Sequence, residues 1–527
     1  MKFSQKALFA VLCLCSAVGA AGQGELRNFH FTVNANPGMV SSNPAFLEAW
    51  KGKLSMAELS FEKENGALKA LNESDDSWTA AARTESYYRV SDRISFHGRL
   101  SWSDFQGKNM GAQILLDPAY NPVNFLENTE LTPGVKKKEL YILSGGMSYK
   151  LNERLSFGLS SFYEAGDMNK IKDPRFSNVW MDLKLDAGVR YAISDCLSLG
   201  ASLQWRNTLE QVKGQISGMT GKQYFIDTDK GGFFGTVAEL AGDYNYISES
   251  NARPMNNNWF GGAIQAGIND IYCGELSFLM REGYFGKKAS SSATYFEFSG
   301  MQLAYNGALV IPSGDNLHRA TLHASYETLS NNENIIKYNT PPGGNTVVVY
   351  GGQNHILDRN VIKASADYCW MKDVSAGYPG FTAGARADFY SLSQETVLYP
   401  YYRKQGYGHV EAELYSQKSF FSGRTLISIE AAVCGYSGFG TKKDDGTYAS
   451  STSTSLKSFD NYLDKHFEFE TAPRAGARLA LTLTLPCKGG IAPYLSLSDR
   501  FVTLTGDNEY LDGKTRNLAA ITLGCNF

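Results

Sequence analysis

Beyond its first two dozen residues, the 527-residue chain contains no long apolar run. Without a stretch of about 18 consecutive apolar residues, the sequence predicts no transmembrane helix in this part. An excess of either charge is also missing, since the formal net charge is −3, which gives no support to a nucleic-acid partner. The patterns G-x-S-x-G, H-E-x-x-H and the P-loop do not occur. We therefore predict that the protein is not an enzyme and that it uses no cofactor.

Cysteine is scarce and scattered. Of the eight cysteines, two fall in the first 22 residues, and the others form neither a C-x-x-C pair nor a metal-ligand spacing. We interpret them as small apolar fillers and turn residues, and we predict no metal site. A disulfide between Cys434 and Cys487 stays open, because an exported protein enters an oxidising compartment. The six dispersed cysteines are Cys196, Cys273, Cys369, Cys434, Cys487 and Cys525.

Aromatic residues, in contrast, are abundant, and one of them ends the chain. The 30 Phe, 30 Tyr and 7 Trp are enough to supply the aromatic girdles of a membrane barrel. In residues 516–527 apolar residues recur at every second position, with small or polar residues between them. An apolar outer face that ends on a terminal Phe is typical of the closing strand of bacterial outer-membrane β-barrels. We predict that Ile521, Leu523 and Phe527 form the assembly signal read by the barrel-assembly machinery.

The amino terminus has the layout of a secretory signal peptide. Lys2 and Lys6 precede an apolar core over 7–18, and small residues follow at 19–22. This order of a basic region, an apolar region and a small-residue cleavage site indicates export. We predict cleavage after residue 20, 21 or 22 and a final location in the cell outer membrane.

Strict apolar–polar alternation recurs through the rest of the chain. From 181 to 193 the odd-numbered residues are apolar, as at Leu183 and Leu185, while Asp182 and Lys184 between them are charged. A period of two over this length indicates β-strands with one apolar and one polar face. In a transmembrane barrel the apolar face meets lipid and the polar face meets the lumen.

The connections between these strands alternate in length. Short turns, such as 90–93 and 151–154, alternate with long polar segments, as the periplasmic turns and extracellular loops of outer-membrane barrels do. The sequence therefore predicts an all-β fold, a closed antiparallel transmembrane β-barrel of about 16–18 strands. The predicted units are a signal peptide (1–22), an N-terminal periplasmic or lumen-inserted segment (23–53) and the barrel (54–527). The long segments, expected on one rim, fall near 65–78, 107–138, 167–178, 211–257, 330–359, 393–407, 438–472 and 504–515.

Charged residues occupy the polar positions of these strands, and the two signs are nearly balanced. An ion filter would show a ring of one sign, so we interpret most of these charges as pairs that brace the wall. His97 and His323 lie two residues from serines on the same face, which is too common a pattern to indicate catalysis. The predicted lumen-lining residues are Arg99, Lys184, Arg190, Arg206, Lys363, Asp367, Arg386, Asp388, Glu411, Glu413, Glu430 and Arg478.

One local motif lies shortly before the first predicted strand. Asn34–Gly38 reads N-A-N-P-G and Ser42–Leu47 reads S-N-P-A-F-L, and N-P-A followed by an apolar residue resembles the N-terminal region of the long-chain fatty-acid transporter (FadL-like) family. The resemblance implies a segment folded into the lumen as a small hatch, and a hydrophobic substrate. The chain departs from that family in its higher strand count and its charged lumen. Alternatively, Pro37 and Pro44 only mark turns before strand one. As a whole, the chain resembles outer-membrane barrel families without an assigned activity.

Two functions remain open at this stage. The first is a passive channel or transporter for a small solute or a hydrophobic ligand, because about 18 strands enclose more space than wall side chains can fill. The aromatic loop 211–257 would then constrict or cap the pore. The second is a non-enzymatic binding or assembly barrel that docks a lipoprotein or a secretion or uptake partner through its extracellular loops. The expected partners are thus outer-membrane lipids, the barrel-assembly machinery and such a docking protein, without nucleic acid.

Overall fold

In a computed structural model of the chain, most of the residues are strands of a single closed barrel. The structure describes residues 28–117, 120–127, 132–218, 221–240, 246–247, 252–289, 292–374, 377–446 and 456–527. The predicted signal peptide, 1–22, lies outside the described residues. Among these residues, the barrel strands are β1 (Lys53–Asn65), β2 (Asp76–Ser91), β3 (Ile94–Met110), β5 (Gly134–Lys150), β6 (Leu155–Lys170), β7 (Arg175–Ala192), β8 (Leu197–Gln215), β11 (Pro254–Ile268), β12 (Tyr272–Ala289), β13 (Ser292–Ser313), β14 (Asn316–Asn339), β15 (Val347–Lys372), β16 (Phe381–Leu398), β17 (Tyr401–Ser422), β18 (Thr425–Asp445), β20 (Arg474–Thr484), β21 (Ala492–Leu504) and β22 (Thr515–Asn526).

The remaining elements are small, and all except the turn Lys488–Gly490, which joins β20 to β21, lie inside or above the barrel. Four short strands, β4 (Asn124–Glu127), β9 (Phe225–Asp229), β10 (Phe234–Glu239) and β19 (Leu456–Ser458), form a second sheet in the order β19-β10-β9-β4. The helices are Phe29–Asn34 and Asp460–Thr471, and the 3-10 turns are Pro37–Val40, Pro44–Ala49 and Lys488–Gly490. No helix among the described residues is long and apolar enough to span a membrane.

The barrel closes through its first and last strands. β1 pairs antiparallel with β22, with Leu59 opposite Leu523 and Phe61 opposite Ile521. The Phe527 N–H also donates to the Ser55 carbonyl at 2.9 Å. Closure leaves no sheet edge with unpaired backbone groups, as lipid requires. The predicted fold class is confirmed, with eighteen described strands at the top of the predicted range.

The two faces of the strands follow the predicted alternation. On β8, Leu203 is 64% exposed on the outside, whereas its neighbour Gln204 is 5% exposed and faces inward. Leu185 and Leu199 are also exposed on the outer face, while Asp182 and Asp186 are buried on the inner one. The outside of the barrel is therefore an apolar, lipid-facing band, and the inside is polar.

Every connection of ten or more residues between barrel strands lies at one rim, called here the long-loop rim, whereas the connections at the other, the short-turn rim, have eight residues or fewer. Three predicted loops are largely strand, however: within 167–178 only 171–174 separates β6 from β7. Within 330–359 only 340–346 separates β14 from β15, and within 393–407 only Tyr399 and Pro400 separate β16 from β17. These hairpins extend beyond the membrane, where neither face needs to be apolar. The apolar–polar alternation of the sequence is therefore lost there, although the backbone hydrogen bonds between the strands continue.

The depth of a lipid-facing residue gives a first prediction. Leu203 is the seventh residue of β8 counted from the short-turn rim, whereas Leu483 is one residue from the end of β20 at that rim. An arginine near the midplane of the band costs about 2–4 kcal/mol, and one near the interface about 0–1 kcal/mol. We expect Leu203→Arg to lower the unfolding free energy by the larger amount and Leu483→Arg by the smaller one, measured by reversible denaturation in lipid. Equal losses would contradict the assigned depths.

Candidate functional site

The N-terminal segment, residues 28–52, lies in the lumen near the short-turn rim. Its central anchor is Asn43, whose side chain is buried. The Asn43 Nδ2 group donates to the carbonyls of Val189 (3.1 Å) and Ala201 (3.2 Å) and to Gln265 Oε1 (2.9 Å). Its Oδ1 atom accepts from the Ala45 N–H at 3.0 Å. One amide thus fixes the N-P-A-F turn to three wall strands.

Glycines of the inner wall make room for this turn. A Cβ atom added to Gly158 would overlap the backbone of Pro44 and Ala45, and one added to Gly188 would overlap the side chain of Asn43. A Cβ at Gly200 would lie 2.7 Å from the Phe46 ring. These inward-facing glycines leave the space that the turn occupies, and any larger side chain at these positions would fill it. We call this glycine-lined surface the cradle.

Charged groups fasten the rest of the segment. Glu48 pairs with Arg190, and the Arg190 guanidinium also lies over the Phe46 ring at 5.5 Å. Glu275 on β12 accepts from the Ser41 hydroxyl and from the Ser42 N–H, at 2.9 and 2.8 Å. Hydrogen bonds to charged groups are worth about 1.5–3 kcal/mol each, so these contacts hold the segment closely against the wall.

At the opposite end, three segments fold inward into the lumen, 111–127 (described over 111–117 and 120–127), 224–240 and 456–471, and we call them the cap. Apolar residues of the first two segments pack against inward residues of the barrel wall in one buried cluster, and Phe459, Tyr462 and Leu463 of the third pack with Leu126 and Phe233 in another. The first cluster consists of Ile114, Leu115, Val123, Phe125, Phe176, Val212, Tyr224, Ile226, Leu240, Ile247, Met255, Phe285, Phe296, Phe298, Leu329, Ile356, Leu357 and Leu398.

Cations of the wall hold backbone carbonyls of the cap. Arg281 donates to the Tyr120 carbonyl at 2.7 Å, Arg359 to the Asn121 carbonyl at 3.0 Å and Arg403 to the Gly232 carbonyl at 3.0 Å. Lys136 donates in the same way to the Gln113 carbonyl at 2.6 Å. Sequence reasoning missed these four residues. The signal that could have found Arg281 and Arg403 is their position on the inward face.

Three carboxylates of the cap, Glu127, Asp227 and Asp229, are buried. Burial raises the pKa of Asp229 to about 6, although its Oδ1 atom accepts from the N–H groups of Gly231 (2.9 Å) and Phe234 (3.2 Å) and Arg403 opposes the shift. Burial also raises the pKa of Glu127, against the effect of its ion pair with Lys170. The closed cap therefore binds protons at these sites more tightly than an opened, hydrated cap.

This shift gives a pH prediction. When the pKa of an acid is raised in the closed state, its protonation stabilises the closed state fully below the ordinary pKa near 4. This stabilisation is lost as the pH rises to about 6. Above that pH the free energy of closing no longer changes with the titration of this group. For Asp229 the loss is about 3 kcal/mol. Asp229→Asn keeps the acceptor oxygen but cannot ionise. We expect the cap of the variant to be more stable than that of the wild type by a margin that grows between pH 4 and 6.

The measurement is hydrogen exchange of residues 224–240 at several pH values, taken as the ratio between variant and wild type. The ratio cancels the intrinsic pH dependence of exchange and the titration of all other groups. Parallel profiles for the two proteins would show that Asp229 does not titrate in this range.

Between the N-terminal segment and the cap, one side of the lumen remains accessible. There β14–β17, together with Ala304 and Asn306 of β13, line a cavity of about 310 Å³ whose inward side chains are mostly polar. Lys363 and His323 are exposed to it, and the rings of His409 and Tyr390 are stacked with their centroids 5.2 Å apart. His323 Nδ1 lies 2.9 Å from Asn306 Oδ1. This polar surface can bind hydroxyl, carboxylate or amide groups of a solute.

The predicted lumen residues all lie on inward positions, but their partners differ. Arg206 binds Asp182 through two bonds of 2.9 and 2.8 Å, and Lys184 lies 3.5 Å from Asp186. Arg386 binds Asp388, two residues away, at 2.8 and 3.1 Å. Such pairs leave little net charge exposed on the wall.

The other predicted residues lie across several strands. Arg478 bridges Glu413 at 3.1 Å and Glu430 at 2.6 Å, and the Tyr415 hydroxyl donates to Asp367 at 2.8 Å. Glu411 accepts from Arg500, a residue that sequence reasoning omitted. Arg190 faces the N-terminal segment rather than open lumen, and the Nε atom of Arg99 is buried without a hydrogen-bond partner.

The six dispersed cysteines are all free, so the disulfide left open between Cys434 and Cys487 is absent. Cys434 lines the inner wall and Cys487 lies in a connection at the short-turn rim. Among the residues that the structure describes, no cluster of three or more His, Cys, Asp or Glu side chains could hold a metal ion.

A closed antiparallel barrel of this size, apolar outside and polar inside, defines an outer-membrane β-barrel protein. Within that class, residues 44–527 match the family described as "Family of unknown function (DUF6850)", and the chain belongs to this family. The prediction of a barrel family without an assigned activity is thereby confirmed. No curated protein matches the sequence.

Several solved structures share the barrel fold at low identity. BauA, the ferric preacinetobactin receptor from Acinetobacter baumannii, is 7% identical, with 91% of this chain and 80% of that chain covered and a TM-score of 0.40. The RagAB peptide transporter is 10% identical over 90% and 74%, with a TM-score of 0.39. A FadL homologue of Pseudomonas aeruginosa is 11% identical over 96% of both chains, with a TM-score of 0.33. Likeness at this level carries no argument about the cargo of this chain.

Proposed function

We propose that the protein is a gated, passive outer-membrane channel for a small polar solute. The observation that carries the proposal is the lumen itself. Its β14–β17 side presents charged and hydroxyl side chains to an inner space, and segments of the same chain cover both ends of that space. Charges inside a barrel must be paired or hydrated. A wall of this kind therefore suits a hydrated solute better than a hydrophobic ligand.

Both closures are non-covalent: polar contacts attach each of them to the wall, and the buried apolar cluster also holds the cap. Asn43 and Glu48 hold the N-terminal segment, while Arg281, Arg359 and Arg403 hold the cap. In this state the pore is closed at both rims, and a solute crosses when both segments move aside.

The test is conductance and solute uptake with both closures released. We expect purified wild-type protein in planar bilayers to show rare, brief openings. The double variant Gly158→Ala and Arg281→Ala, which disturbs the N-terminal segment and the cap, should show long openings and should admit small sugars into liposomes. A double variant that is folded by heat-modifiability but passes neither ions nor sugars would overturn the channel proposal.

A second candidate function, docking of a lipoprotein or uptake partner, rests on the β14–β15 hairpin. This hairpin rises above the long-loop rim and exposes Ile335 (41%), Tyr338 (60%), Val349 (45%) and Tyr350 (47%). Exposed apolar groups on an extended sheet suit a protein contact. Shortening the hairpin by residues 335–351 should leave conductance unchanged, and loss of a co-purifying outer-membrane protein would support docking.

A further inference from the structure

A second, smaller cavity lies in the lumen beneath the helix Asp460–Thr471. Its volume is about 220 Å³, below the roughly 300–1,000 Å³ of drug-sized sites. Inward residues of β1, β17, β18 and β20–β22 form most of its lining, with Leu68 and Glu73 from the loop after β1 and Phe469 from the helix. The cavity is separate from the polar cavity of β14–β17.

Three arginines face this cavity, and two of them are paired with carboxylates. Arg500 donates to Glu411 at 2.9 Å, and Arg516 binds Glu64 and lies 3.1 Å from Glu73. These two arginines are therefore compensated by the protein itself.

Arg474 differs from them. Its guanidinium lies over the rings of Tyr436 and Phe469, at 4.2 Å from each. Its Nε and Nη2 atoms are buried and have no hydrogen-bond partner. The nearby carboxylate of Glu470 is directed to His409, 3.2 Å away. The guanidinium charge also interacts with Glu470 and with the Tyr436 hydroxyl. Buried donors without partners are costly, so two aromatic rings hold this guanidinium in position while its Nε and Nη2 donors stay unused.

We propose that Arg474 binds the oxyanion group, a carboxylate or a phosphate, of the small solute that the channel carries. The Nε and Nη2 donors form one edge of the guanidinium fork, which matches two oxygens of such a group. The cavity volume limits the ligand to a small molecule. This inference deepens the proposed channel function and rests on it for the identity of the ligand as cargo.

The fold also provides a way into this cavity from outside. Glu73 lines both the cavity and a cleft of about 340 Å³ at the long-loop rim, next to Lys69, Asn109 and Lys465. The barrel wall is lowest there: β20 and β22 have 11 and 12 residues, whereas β14 and β15 have 24 and 26. The Glu73–Arg516 ion pair thus separates the outer cleft from the inner cavity.

The test is direct binding to the folded, detergent-solubilised protein, measured by calorimetry with sodium phosphate and, separately, with sodium acetate. We expect at least one of the two to bind the wild type and to bind Arg474→Gln about tenfold more weakly. Arg386→Gln is the matched control, because it removes an equal charge from a paired arginine elsewhere in the lumen. It should keep affinity within about twofold.

Each outcome decides the inference. No binding of either anion to the wild type, or equal losses in Arg474→Gln and Arg386→Gln, would overturn it. If Arg474→Gln does not fold, Arg474→Lys replaces it: this variant keeps the charge but loses the paired donors, and affinity equal to the wild type would overturn the site. Anion binding and conductance are measured independently. A barrel that conducts but binds no anion would refute the Arg474 site and leave the channel function standing. A barrel that binds an anion but never conducts would refute the channel function and leave the Arg474 site standing.

Discussion

Replacing Arg281 by alanine is expected to detach the first cap segment, residues 111–127, from the wall. The Arg281 side chain is completely buried and donates to Asn257 Oδ1, to the Tyr120 carbonyl and to Glu327 Oε1. Removing one partner of a buried charged network costs roughly 3–5 kcal/mol, because the other partners stay buried without a counterpart. The rings of Tyr120 and Trp259, at 4.4 and 5.0 Å from the guanidinium, would also lose their packing.

The measurement is hydrogen exchange of residues 111–117 and 120–127 in the reconstituted barrel. A loss of 3–5 kcal/mol corresponds to a fall in protection of roughly a hundred- to several-thousand-fold. The matched control is Arg386→Ala. Arg386 is an exposed lumen arginine paired with Asp388, so its removal should change protection by about 0–1 kcal/mol. Equal effects of the two variants would mean that the cap does not depend on Arg281.

The barrel could be predicted from sequence because lipid imposes one simple rule on every strand. Leu203 and Gln204 are adjacent in sequence and face lipid and lumen respectively, and the same contrast repeats around the wall. The terminal strand followed the same rule, so its pairing with β1 was predictable from Ile521 and Leu523. Where strands leave the membrane, as in the β14–β15 hairpin, the rule ceases to apply and the boundaries were wrong.

The contents of the lumen could not be predicted in the same way. The apolar–polar alternation predicts that the side chains of Arg190 and Arg478 face the lumen. It does not predict their partners, because these depend on which strands lie opposite and on which segments fill the lumen. Arg190 meets Glu48 of the N-terminal segment, whereas Arg478 meets Glu413 and Glu430. Three-dimensional closure creates these contacts, and no local sequence pattern encodes them.

The N-P-A-F turn was visible in the sequence, but its receptor was not. Gly158, Gly188 and Gly200 stand on separate strands, and in sequence each reads only as a small residue on the polar face. The register of β6, β7 and β8 brings Gly158 opposite Gly188 and places Gly200 two residues from Ser202, the residue of β8 opposite Gly188. A binding surface defined by missing side chains becomes apparent only when the segment that fills it is seen.

The second large effect is therefore expected from a single added methyl group. In Gly158→Ala the new Cβ atom would overlap backbone atoms of Pro44 and Ala45. The backbone of β6 is hydrogen-bonded to its neighbouring strands and the 3-10 turn is held by Asn43, so neither can shift easily to relieve the overlap. Overpacking of this kind costs about 1–3 kcal/mol or more. We expect the N-terminal segment to leave its cradle while the barrel remains folded, because the substituted residue keeps its backbone pairing with β7.

Release is measured by limited proteolysis and hydrogen exchange over residues 28–52. Gly98→Ala is the control: Gly98 lies on the lipid-facing side of β3, and an added Cβ there meets no atom within 4 Å. We expect strong exposure of the segment in Gly158→Ala and wild-type protection in Gly98→Ala. Full protection in both variants would show that the cradle does not hold the segment.

The conductance of the same variants tests whether the two closures act in series. If they do, Gly158→Ala alone leaves the cap as the barrier and Arg281→Ala alone leaves the N-terminal segment, so each single variant should raise the open probability only slightly. The double variant removes both barriers, and its open probability should exceed the sum of the two single increases. A Gly158→Ala channel that opens as fully as the double variant would mean that the cap, despite its buried cluster and its four cation–carbonyl contacts, does not obstruct the pore.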